Sequence, residues 1–137
     1  MTIDVANHHP HHVTERVTSL IDGRLVAPAA AGFDWPVIYP ATEERVSVLR
    51  EADAAEVDTA VAAARRAFDH GPWPRLSLDA RKDVLYRIRD VIRAHTDELA
   101  YLECLNTGLP IARIREQIGR AARNFEFFAE VASTMKG

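Results

Sequence analysis

Apolar positions change their period partway along the chain, and that change divides it into two parts. Up to about residue 50, short apolar runs alternate with turn residues. Ser19-Leu20-Ile21 and Arg24-Leu25-Val26 flank Asp22-Gly23, the two-residue signal of a tight hairpin. After a loop over Pro28 to Asp34, Pro36-Val37-Ile38 reads as a short extended segment. Pro40 to Glu44 reads as a turn, and Arg45 to Leu49 as another strand. Strands this short need something to pack on.

Beyond residue 50 the period is helical. Asp53 with Glu56 three residues on forms a capping-box pattern. Val57, Ala60, Val61, Ala64 and Phe68 then make one apolar stripe, which Gly71-Pro72-Trp73-Pro74 ends. Ser77 is placed to cap a second helix with Val84, Leu85, Ile88, Val91 and Ile92 inward. Thr96 is placed to cap a third with Leu99, Leu102 and Leu105 inward, stopped by Gly108 and Pro110. The last helix is the most regular. Ile111, Ile114, Ile118, Ala121, Phe125, Phe128, Ala132 and Met135 follow spacings of three and four, a heptad-like seam that calls for a partner helix along its length. The four stripes differ, so there is no internal repeat.

Composition narrows this modestly. The 137 residues are one domain's worth of chain, 47% apolar and 27% charged, with a formal net charge of −3. That balance gives no global pull toward nucleic acid or an acidic membrane. Lys82 and Lys136 are the only lysines. Cys104 is the single cysteine, so no disulfide closes within the chain. No apolar run reaches membrane-spanning length and no secretory pattern opens the chain, so a cytoplasmic location is expected. Residues 1–17, with His8, His9, His11 and His12 around Pro10, read as a disordered His-rich leader. Transition-metal binding by those imidazoles is the alternative. Order is expected from Thr18.

The residues at the element junctions resemble one family. Leu20-Ile21-Asp22-Gly23-Arg24 is similar to the "F-I-N-G-E-W" opening of the aldehyde dehydrogenases, and Tyr39-Pro40-Ala41-Thr42-Glu43 to their "N-P-A-T-G" turn. Ala62 to Phe68, Gly71-Pro72-Trp73 and Leu76-Ser77 resemble the family's first helix and the loop after it. Arg81 with Leu85 to Ile92 resembles its second helix. Asp97 to Ala100 and Asn106 to Pro110 resemble its third and the cap that follows. Thr107 to Ile111 and Asn124 to Glu130 resemble the branch that oxidises carboxymethyl-hydroxymuconate semialdehyde, in the breakdown of 4-hydroxyphenylacetate through homoprotocatechuate.

The resemblance implies an α/β fold. Residues 18–137 would be the N-terminal part of the family's coenzyme-binding domain, hairpin and strands followed by four amphipathic helices, cut before the parallel sheet. Aldehyde oxidation of this kind needs a nucleophilic thiolate, oxyanion donors, a nicotinamide cofactor to take the hydride and a carboxylate to activate water. In the family these lie beyond the position of Gly137, so the chain alone is expected to be inactive and to bind neither NAD nor NADP. No Gly-rich strand-to-helix turn marks a pyrophosphate cradle. Cys104 does not map to the nucleophile and reads as a small buried residue.

Two sites are implied in part. The family often holds a monovalent cation with a backbone carbonyl near Val37 and an acid at Asn106, where this chain has an amide. The last helix lines the mouth of the substrate tunnel, which places Arg120, Arg123 and Phe127 as candidates. Arg120, helped by Arg123, would grip a substrate carboxylate, or else be a solvated helix arginine. Phe125 and Phe128 lie on the seam and read as packing. The complete enzyme would take an aldehyde, with no nucleic acid or membrane partner, and would be a homo-oligomer.

The competing expectation is a non-catalytic helical interaction module, since four capped helices also suit a small bundle. A free-standing bundle would have no need of the hairpin at Asp22-Gly23 or the strand at Arg45 to Leu49. As a severed domain front, the chain is expected to expose apolar surface on the last helix and the strands.

Overall fold

The computed structural model describes residues 13–27 and 32–134. Its five short strands are β1 (Arg16–Val17), β2 (Leu20–Ile21), β3 (Arg24–Leu25), β4 (Asp34–Ile38) and β5 (Arg45–Arg50). Four helices follow: α1 (Ala54–His70), α2 (Leu78–Ala94), α3 (Thr96–Thr107) and α4 (Ile111–Val131), with one-turn 3₁₀ segments at Trp73–Arg75 and Ala132–Thr134.

β2 and β3 form the expected hairpin. Asp22 and Gly23 both take positive φ, 53° and 74°, the two-residue turn whose twist matches paired strands. The other sheet has the order β1-β5-β4, with β5 antiparallel to β4 and parallel to β1. Pro36 is tolerated because β4 is an edge strand, and the ladder slips by one residue between Val37 and Ile38.

β1 corrects the expectation that order begins at Thr18. Arg16 and Val17 pair with Val48 and Leu49, and the buried Ser47 hydroxyl donates to the Thr14 carbonyl at 2.6 Å. Asp34 accepts from Arg16 at 3.0 Å and from Arg50 at 3.1 Å, so one carboxylate ties β1, β4 and β5 together. All of these bonds are long-range, which is why no local signal marked the strand. The four leader histidines lie outside the described residues.

The helix starts follow local chemistry with one exception. Asp53 and Glu56 make the reciprocal capping box, and Ser77 accepts from the Ala80 N–H at 3.2 Å. Thr96 is not a cap. It is the first residue of α3, and its hydroxyl donates back to the Ile92 and Arg93 carbonyls at the end of α2. Gly108 ends α3 in the left-handed conformation at φ 73°, its N–H on the Cys104 carbonyl at 2.8 Å. A Cβ there would meet the Pro40 ring at 3.0 Å, so α3 docks closely against the Tyr39–Glu44 turn.

The core lies where α4 packs on α2 and α3. Ile114, Ala122 and Ala129 are fully buried, and Leu105 and Ala100 join them from α3. These positions hold to a straight helix rather than a strict seven-residue seam, which leaves Phe128 61% exposed. Lys82 bonds Ser133 near one end of the α2–α4 contact and Arg93 bonds Glu126 further along it, so the two helices run antiparallel. The last helix therefore does have a partner within the chain. As expected, the strands leave apolar side chains uncovered, Leu20, Leu25 and Trp35 among them, and Phe127 and Phe128 stay exposed on α4; α1 adds an uncovered stripe of Val57, Val61 and Phe68, with Ala63 alone buried.

Candidate functional site

α4 builds the polar site on the side opposite its buried stripe. At 3.6 residues per turn, Arg113, Glu116, Gln117, Arg120 and Arg123 fall on one outward face. Together they line a shallow, largely polar groove of about 370 Å³. The structure thus brings the two expected arginines, Arg120 and Arg123, to one place and adds Arg113 and Gln117. A periodic polar stripe opposite the apolar one was the available signal for those two. Phe127 is exposed beside the groove without lining it, and meets the Phe128 ring edge-on at 5.4 Å.

The charges on this face are unequally engaged. Arg113 stands 3.8 Å from Glu116, a long and solvent-exposed pair. Arg120 and Arg123 make no hydrogen bond or ion pair among the described residues. Next along the helix, Glu126 is held from α2: Arg89 donates to one oxygen at 2.8 Å and Arg93 to the other at 2.9 Å. Arg89 also bonds Asp90 at 2.8 Å and lies over the Tyr86 ring. The Arg89 hydrogen bond holds the Asp90 carboxyl below its ordinary range. Sequence reading did not single out this cluster, although Arg89 and Arg93 stand one helical turn apart.

Val37 and Asn106, the expected cation residues, do share a cleft. It opens between the β4–β5 face and α3, measures about 340 Å³ and is mostly apolar, with Val46, Leu49 and Leu105 in its walls. Its polar complement is Thr14, Ser47 and Asn106, and the Ser47 hydroxyl is already committed to the Thr14 carbonyl. A neutral amide with no carboxylate among the described lining residues is a poor donor set for a cation. No group of three or more His, Cys, Asp or Glu suited to a metal occurs among the described residues.

Cys104 is half-buried on α3, beside Tyr39 and Tyr101. Burial, and next the neighbouring thiol, push both phenols above their ordinary range. This cluster joins α3 to the end of β4, and among the described residues it includes no base to activate the sulfur. No helix among the described residues is long and apolar enough to cross a membrane.

Comparison with known proteins agrees with this architecture. The aldehyde dehydrogenase family model matches residues 27–137. Aldehyde dehydrogenase 1 of Tanacetum cinerariifolium is 42% identical over 119 residues, 85% of this chain and 23% of that protein. The 5-carboxymethyl-2-hydroxymuconate semialdehyde dehydrogenase of Escherichia coli is 39% identical over 125 residues, 90% of this chain and 25% of that protein. The NAD⁺ complex of a Bacillus cereus aldehyde dehydrogenase superposes with a TM-score of 0.82 at 32% identity, over 91% of this chain and 26% of that one. The chain spans about a quarter of the length of the relatives it matches.

Proposed function

Since the chain belongs to the aldehyde dehydrogenase family, we propose that it is the N-terminal portion of an NAD(P)-dependent enzyme that oxidises a carboxylated semialdehyde to the acid. The observation that carries the substrate class is the α4 groove, where Arg120 and Arg123 stand without an internal partner. A guanidinium offers two parallel N–H donors to a carboxylate, and an unpaired one has no existing bond to break. The semialdehyde named for the Escherichia coli relative carries such groups, which supports a place in aromatic catabolism by the 4-hydroxyphenylacetate route.

In this reading the chain's own residues bind and orient. Arg120 grips the carboxylate, Arg123 supports it, and Phe127 offers an exposed ring at the mouth of the tunnel. The nicotinamide cofactor, when bound, takes the hydride; no residue of this chain is assigned to hold it. The nucleophile, the oxyanion donor and the water-activating base are assigned to the part of the family fold that this chain does not span. The chain by itself is then inactive, and the complete enzyme is a cytoplasmic homo-oligomer.

The test is Arg120→Gln in the complete enzyme, with 4-oxobutanoate and butanal as carboxylated and neutral aldehydes. Loss of one charge-assisted contact of about 1.5 kcal/mol raises KM for 4-oxobutanoate roughly tenfold and leaves butanal unchanged. An unaltered ratio between the two substrates would end the proposal.

A further inference from the structure

Arg123 has an acidic neighbour on its own helix and does not pair with it. Glu126 lies three residues on, a spacing at which opposite charges on a helix ordinarily meet. Both of its oxygens are taken instead, one by Arg89 and one by Arg93, across the α2–α4 contact. The Arg123 guanidinium turns the other way. Its Nη1 lies over Gly119, one turn back, 3.6 Å from where a Cβ would stand. Arg123 and Arg120 both line the groove, together with Gln117.

We propose that Arg89 and Arg93 are positioning residues for substrate recognition: by holding Glu126 they keep Arg123 unpaired and free to serve the groove it shares with Arg120. The inference rests on the assignment of the groove to a substrate carboxylate. Two guanidiniums close together repel each other, and a dianionic or monoanionic ligand between them relieves that repulsion. Arg123 would otherwise settle on Glu126 and leave Arg120 alone. Glu116 stands seven residues before Arg123 and, at 3.8 Å from Arg113, makes no ion pair with Arg123. Neither Arg89 nor Arg93 lines the groove, so their effect reaches the ligand only through Glu126 and Arg123.

The experiment is a set of variants in the complete enzyme, read as KM and kcat for 4-oxobutanoate and butanal. Arg93→Gln frees one oxygen of Glu126, and an i,i+3 pair of modest strength then draws Arg123 away. About a twofold rise in KM for 4-oxobutanoate is expected, with kcat and both butanal constants unchanged. Adding Glu126→Gln removes the competitor and restores KM, which simple loss of packing between α2 and α4 would not do. In an Arg123→Gln background, Arg93→Gln should have no further effect. A change of equal size for both substrates overturns the inference. So does a Glu126→Gln variant that fails to rescue, or an Arg93→Gln effect that survives without Arg123. If Arg120→Gln and Arg123→Gln each leave the substrate ratio untouched, the groove does not bind the carboxylate and both proposals fall. If those two lower discrimination while Arg93→Gln does not, only the positioning role fails.

Discussion

α1 and α4 both carry apolar stripes at helical spacing, and they end in opposite surroundings. Ile114 of α4 has no exposed surface, whereas Val61 and Phe68 of α1 are 63% and 69% exposed. α4 lies against α2 and α3 along its length. α1 meets chiefly the β2 strand and the 3₁₀ turn that follows it, with Arg66 and Asp22 at 3.5 Å. The stripe of a helix therefore states which side avoids water and says nothing of what covers it. Among the described residues the α1 stripe is left uncovered, while that of α4 is packed.

The largest effect separates these regions directly. Ile114→Ala leaves a cavity in the only layer where three helices meet among the described residues, and should cost about 3 kcal/mol in chemical denaturation. Phe68→Ala, a larger truncation, should change stability by less than about 0.5 kcal/mol because its ring is already in water, beneath the Arg65 guanidinium. Equal costs would mean that the α1 face is covered after all.

A second effect tests how firmly the sheet is tied to the packed helices. Gly108→Ala meets both a left-handed backbone and the Pro40 ring, and should lower stability by about 1–2 kcal/mol. If the α3 end and the Tyr39–Glu44 turn moved independently, only the backbone part of that cost would appear. The smallest effect lies in the same turn. Glu43 sits at φ 61°, where the related family turn has glycine. Glu43→Gly should raise stability by about 0.5 kcal/mol, the relieved strain less the added freedom of the unfolded chain. Thermal melts of these two variants check both signs.

Much of the fold was legible because its signals are local. Asp22-Gly23 specifies its hairpin, Asp53 and Glu56 their capping box, and Gly108 its helix end, each within a few residues. β1 was not, since Arg16 is held by Val48 and Asp34, far along the chain. Thr96 carried a cap signal that the preceding carbonyls of α2 captured first. The drift between a 3.5 and a 3.6 period decided the fate of Phe128. The same division runs through the candidate site. Arg120 and Arg123 follow from the family resemblance of the last helix, while Glu126 gains its interest only with Arg89 and Arg93 arriving from α2.

Amide hydrogen exchange on the 137-residue chain tests the contrast between α1 and the α2–α4 pair most directly. Amides in the middle of α2 and α4 should be the slowest, exchanging near the limit set by global unfolding, while those of α1 exchange through local opening at least tenfold faster. Protection of α1 equal to that of α4 would overturn this contrast, because it would show that the exposed stripe already has a partner in the chain itself or in a second copy of it.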